Sequence, residues 1–251
     1  MQFIVSPTKQ MRNAKVAFDE VSQPYFKSQA ALIRQRLQQC SMAELQALWK
    51  CNQKLVIQNY ERLHNAKTIL GPAIMMYQGL QFQNMHVELM SAQALKYLQA
   101  NLWIMSGMYG LLRPFDEIQP YRLEMQAKLS IADVNTIYDY WHQQLYTKLF
   151  ATAKLQQDAS VINLASQEYA KTVKKYLQPT DKLIDVTFLV WRNDKLVQQA
   201  TIAKQARGRM IAFCANNQIQ DLYQLKKFNE LGFMYDANKS NDAEIVFIQG
   251  V

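Results

Sequence analysis

An irregular mixed α/β fold, a single domain with a central mixed sheet surrounded by helices, is predicted by three features of this 251-residue sequence. Short continuous apolar runs, QFIVS at 2–6, LWIMS at 102–106, ASVINLAS at 159–166 and EIVFI at 244–248, have the length and composition of buried strands. The stretches between them carry apolar residues three and four apart, the spacing of one helix face. No composition shift, internal repeat or low-complexity tract interrupts the chain, so residues 1–251 read as one domain.

Each element has a local reason. QFIVS ends at Ser6-Pro7, because proline cannot continue a central strand. Residues 25–39 place Phe26, Ala30, Ile33 and Leu37 on one face and Arg34 and Arg36 elsewhere, which predicts an amphipathic helix. Ser41-Met42-Ala43-Glu44 is a capping box for a second helix. Asn52 can cap a third that runs to about His64, and Gly71-Pro72 breaks the pattern. LWIMS meets Gly107 as a central strand opening into a loop would. Residues 133–150 read as helical, and QEYAKTVKKYL after ASVINLAS has helical spacing through Tyr169, Val173 and Leu177. KLIDVTFLVW and KLVQQATIA alternate on either side of Arg192-Asn193-Asp194, the pattern of an antiparallel hairpin. Residues 203–217 and 220–229 read as two helices joined at Asn216-Asn217-Gln218, and no regular βαβ repeat spans the chain.

Composition excludes several classes. Hydrophobic residues make up 49% and charged residues 19%, which argues for a folded chain over a disordered one. No run approaches the roughly 18 apolar residues of a membrane span, and the N-terminus has no secretory pattern. Cys40, Cys51 and Cys214 are scattered, with no CxxC, and His64, His86 and His142 fall in no metal-ligand spacing. The expectations are therefore a cytoplasmic protein with no metal and no cofactor. A net charge of +8 suits a polyanionic partner, and residues 1–60 hold eight Lys/Arg against Asp19, Glu20 and Glu44.

Three segments could carry chemistry. SGMYGLLRPFDEIQPYRLEM at 106–125 gathers two of the seven glycines and two of the six prolines with Arg113, Asp116, Glu117, Tyr121, Arg122 and Glu124. That is a stiff, charged loop, suited to a site or to internal ion pairs that lock a long connection. In VINLASQEYAKTVKKYL a strand delivers Ser166 to a helix start, where backbone N–H groups favour an anion, and Lys171, Lys174 and Lys175 follow. In AKQARGRM, Lys204, Arg207 and Arg209 stand at the expected helix start, where positive charge is unfavourable unless something anionic meets it. No nucleophile motif, phosphate loop or catalytic triad is present, so no catalytic residue is assigned.

The motifs SPTK at 6–9, the 106–125 segment, NLASQEYAKTVK at 163–174, AKQARG at 203–208 and FNELGFMYD…EIVF in the tail resemble, in order and spacing, the YaaA family of bacterial peroxide-stress proteins. The resemblance covers nearly the whole chain. It implies a cytoplasmic, bacterial protein that limits iron-promoted oxidative DNA damage and binds duplex or distorted DNA in a positively charged cleft. It also implies a helix-hairpin-helix-like element, which would fall on the two C-terminal helices. The chain departs from the family pattern within Tyr77–Met85, where an acid, a tyrosine and a second glycine are missing, and at Ala212, where the family has an arginine.

Two functions follow. In the first, a monomer grips DNA phosphates with Lys9, Arg113, Arg122, Lys171, Lys174, Lys204, Arg207 and Arg209. In the second, Ser6, Ser106, Tyr109, Asp116, Tyr121, Glu124 and Ser166 line a pocket in which a nucleotide or nucleic-acid base is acted on, with Asp116 or Glu124 as acid/base.

Overall fold

The computed structural model describes residues 1–14, 21–65 and 69–250. Lys15, Asp19 and Glu20, counted in the N-terminal charge balance, lie outside the described residues. Its main sheet has eight strands: β1 (Gln2–Val5), β2 (Leu102–Ser106), β3 (Gly110–Leu112), β4 (Val161–Leu164), β5 (Leu183–Arg192), β6 (Lys195–Val197), β7 (Phe233–Tyr235) and β8 (Glu244–Gln249). The order is β7-β8-β5-β4-β1-β2-β3, with β6 paired to β5. The five strands from β8 to β2 run parallel, while β3, β6 and β7 pair antiparallel at the margins, so the sheet is mixed. β1, β2 and β4 are buried at every residue, as parallel strands covered on both faces require.

Among the described residues, the helices of eight or more residues are α1 (Lys27–Gln38), α2 (Met42–Trp49), α3 (Gln53–His64), α4 (Ala92–Asn101), α5 (Gln144–Ala153), α6 (Gln167–Lys174) and α7 (Ala200–Asn216). The expected caps are present: Ser41 and Glu44 form the capping box of α2, and Asn52 Oδ1 accepts from the Leu55 N–H at the start of α3. None of the described helices is long and apolar enough to cross a membrane.

Four segments differ from the periodicity reading. Residues 133–150 form two helices, Ile137–Trp141 and α5, because His142 takes a positive φ of 42° and breaks the backbone ladder. The second hairpin strand stops at Val197, and the rest of KLVQQATIA enters α7. That places Lys204, Arg207 and Arg209 in the second and third turns of α7, beyond the reach of the first-turn dipole argument. The helix expected over 220–229 is only Leu222–Leu225, reached through a turn where Gln218 has φ 53°. Gly208 is fixed by close packing, since a Cβ there would stand 2.1 Å from the carbonyl oxygen of Gln81 on the short helix Leu80–Gln83.

Candidate functional site

The parallel strands β1, β2 and β4 end at one edge of the sheet and deliver Ser6, Ser106 and Ala165-Ser166 there. In an open α/β sheet this carboxyl edge is where ligands bind, because the chain leaves the sheet and exposes backbone and side-chain polar groups. A cavity of about 500 Å³ occupies it, lined by residues that include Ser6, Lys9, Tyr121, Arg122, Glu124, Ser166, Glu168, Lys204 and Arg207. That volume suits a ligand of one to a few rings.

The floor is a pair of serines. Ser6 Oγ accepts from the Ser166 backbone N–H at 2.8 Å and donates to Ser166 Oγ at 3.1 Å. Ser166 stands at the N-cap position of α6, as expected, but its hydroxyl makes no capping bond; it is turned to Ser6 instead. The first N–H groups of α6 therefore have no side-chain cap.

The walls carry charge of both signs. Lys9 Nζ lies 2.9 Å from Glu124, and Arg122 Nη2 lies 3.8 Å from the same carboxylate. Arg122 is itself buried and spends Nε and Nη2 on the Trp49 carbonyl. Glu168 accepts from the Gln126 backbone N–H; burial, then the charge of Glu124, hold its carboxyl above the ordinary value against the pull of that N–H and of Lys9. Arg207 differs from all of these. Its guanidinium is lowered in pKa by burial, and its Nε is enclosed with no hydrogen-bond partner among the described residues. Lys204 stands one turn before it on α7, and four cations thus face two carboxylates.

Behind the cavity wall the 106–125 segment is tied down by a buried hydroxyl chain. Tyr121 Oη lies 2.7 Å from Ser106 Oγ and 2.8 Å from Tyr77 Oη, and Ser106 Oγ also accepts from the Tyr109 N–H. Tyr109 packs edge-on against Tyr121 and accepts from the Gln119 N–H. Burial raises the pKa of Tyr77 and Tyr121, so both stay neutral donors.

Several residues expected at the site lie elsewhere. Arg113 stacks on the Trp103 ring at 3.4 Å and donates to Gln2 Oε1 and to the carbonyls of Ala100 and Leu102. Burial lowers its pKa to about 10, against the charge of Asp116. Asp116 accepts from the Arg113 backbone N–H and from Ser22 Oγ, and burial pushes its carboxyl up to about 6 against those bonds. Both lie outside the cavity lining. Lys171 sits over the Tyr138 ring, Lys174 pairs with Asp185 at 2.5 Å, and Arg209 pairs with Glu230 at 2.6 Å. Among the described residues no group of three or more His, Cys, Asp or Glu could hold a metal ion.

Sequence reasoning passed over Thr8, Gly79, Glu168 and Tyr169, all of which line the cavity. Glu168 and Tyr169 follow Ser166 in the NLASQEY motif, and adjacency to a predicted strand end was the available signal. Gly79 carried none, because it meets Thr8 across 71 residues of chain.

Comparison with known proteins agrees along the full length. The family model described as peroxide stress protein YaaA matches residues 1–239. Similar chains include UPF0246 proteins from Ligilactobacillus salivarius (41% identical over 251 residues, 99% of this chain and 100% of that one) and Pediococcus pentosaceus (42% over 251 residues, 99% and 98%). Another, from Lachnoclostridium phytofermentans, is 37% identical over 252 residues, covering 100% of this chain and 97% of its own.

Proposed function

This chain belongs to the family of the peroxide stress protein YaaA, and from that premise we propose that it is a cytoplasmic, monomeric protein that binds DNA phosphates at the carboxyl edge of its sheet and so limits iron-promoted oxidative damage. The observation that carries the reading is Arg207. Arg207 lines the cavity, and among the described residues its guanidinium joins no hydrogen bond or ion pair, so a phosphate oxygen entering the cavity meets a cation with no internal competitor. Lys204 on the same helix and the first N–H groups of α6, which have no side-chain cap, add to the same attraction, whereas Lys9 is held by Glu124. Arg122 supplies charge from the wall. Arg113, Lys174 and Arg209 are committed to internal partners, so the reading does not use them. The helical turn at 217–221 lies at the far end of α7 from Lys204 and Arg207, so this reading does not route DNA through a helix-hairpin-helix contact.

The test is equilibrium binding to duplex, bent and junction DNA across a range of salt. Affinity should fall steeply with salt, and Lys204→Ala and Arg207→Ala should each flatten the log–log slope by about 1. Binding that ignores both substitutions overturns the reading.

A second reading, chemistry on a nucleotide or base, draws on the Glu124–Glu168 pair beside the two serines in a ligand-sized cavity. Asp116, the other expected acid, lies outside that cavity and has no part in it. Competition by a nucleoside monophosphate, with turnover lost in Glu168→Gln, would favour this reading over simple grip.

A further inference from the structure

The cavity at the carboxyl edge has a neighbour. A second cavity, of about 540 Å³, lies between the C-terminal end of α1, helix α2 and the segment 124–130. Glu124 lines both cavities, so the two adjoin across one side chain. Lys9, in the first cavity, holds that carboxylate at 2.9 Å. Gln126, which lines the second, donates from its backbone N–H to Glu168 in the first and from Nε2 to Glu124 Oε2 at 3.3 Å. One carboxylate and one amide thus stand between the two cavities.

The second cavity holds cations that the fold leaves unpaired. Its buried lining, Cys40, Ala127 and Leu129, is apolar, whereas Lys50 and Lys128 are exposed. Neither lysine joins an ion pair among the described residues. Arg36 donates from Nε to the Ser130 carbonyl and from Nη1 to Cys40 Sγ, which leaves Nη2 without a hydrogen bond among the described residues. The two acids of the lining are engaged elsewhere. Glu44 accepts from the Ser41 N–H and hydroxyl in the capping box, and Glu124 faces Lys9 and Arg122.

We propose that the second cavity is a further phosphate subsite, in which Arg36, Lys50 and Lys128 hold the backbone of the same strand that Lys204 and Arg207 grip in the first. This rests on the DNA-binding reading and deepens it by naming the path of the strand, which crosses from one cavity to the next over Glu124. The acid on that path is already neutralised by Lys9 and Arg122. Phosphates repeat at short, regular intervals along a strand, so two adjoining cationic cavities match a polynucleotide better than a single nucleotide. Once the first cavity is filled, contact with the second is intramolecular, and affinity rises without a second encounter.

The experiment measures affinity for duplex DNA and for single-stranded oligothymidylate across a range of salt, in wild type and in two variants of equal charge. One is Lys50→Gly with Lys128→Gln. The other is Lys195→Gln with Lys239→Gln, at exposed lysines that line neither cavity. Lys50 ends α2 at φ 45°, an angle that glycine adopts freely, and Lys128 is exposed, so thermal unfolding of the first variant should match wild type. That variant should bind about tenfold more weakly and flatten the log–log slope by about 2, while the second stays close to wild type. Lys128→Gln alone should flatten the slope by about 1, so the result does not hang on position 50. If the first variant keeps wild-type affinity and slope while Arg207→Ala weakens binding, the second cavity lies off the path; the subsite is overturned and the DNA reading stands. Equal losses in the two variants would trace the effect to overall charge and overturn the subsite as well. If neither form of DNA binds wild type, or Arg207→Ala changes nothing, the DNA reading itself has failed and the subsite falls with it.

Discussion

Arg113 and Arg207 are both largely buried arginines whose pKa is lowered by desolvation, yet their surroundings are opposite. Arg113 stacks on Trp103 and is bound to Gln2, Ala100 and Leu102 with Asp116 nearby. Arg207 keeps an enclosed Nε without a partner and faces a cavity. Charge and burial do not separate a fastener from a binding group; satisfaction of the donors does. Arg113 holds the 106–125 segment against β1 and β2, and Arg207 is left for something that arrives.

That contrast can be broken most directly at Arg113. Arg113→Ala deletes the stack on Trp103 and the guanidinium hydrogen bonds to Gln2, Ala100 and Leu102, which should cost about 3–5 kcal/mol. For a chain of this length that lowers Tm by roughly 10 °C, read by thermal unfolding. A loss below 1 kcal/mol would mean the segment is held by something else.

Asp116 sharpens the comparison through pH. Its folded pKa, pushed up to about 6, lies above the unfolded value of about 4, so the folded state binds this proton more tightly. Its contribution to stability is then full below about pH 4 and is lost as pH rises through about 6, a swing on the order of 3 kcal/mol. Denaturant unfolding of wild type and Asp116→Asn across that window should show the difference between them changing with this sign. An unchanging difference would place the Asp116 pKa at its ordinary value.

The smallest stability effect belongs to Arg207. Arg207→Ala removes no internal hydrogen bond through Nε, so stability should change by about 0.5 kcal/mol or less, even as DNA affinity falls. A large loss of stability would put Arg207 in the same class as Arg113.

Much of the fold could be read from local patterns. Apolar runs marked β1, β2, β4 and β8, and Ser41-Glu44 and Asn52 marked helix starts, because strand burial and capping depend on residues close in sequence. The break at His142 was not readable, since a positive φ in a non-glycine residue is imposed by neighbours. The cavity was half readable. Ser6, Glu124 and Ser166 stand at predicted strand ends or in the dense loop, and all three reach the cavity. Arg113 and Asp116 carry the same motif signal but fold inward to Trp103 and Ser22.

The amino-acid order alone determined the family, the mixed α/β class, the positions of the buried strands and the concentration of polar groups at 106–125, because each depends on residue type and short spacing. Tertiary structure alone decided which arginines are spent and which are free. It also set Ser6 against Ser166 across 160 residues. Hydrogen-bond satisfaction and exposure are properties of pairs distant in sequence, and they exist only once the sheet order has brought those pairs together.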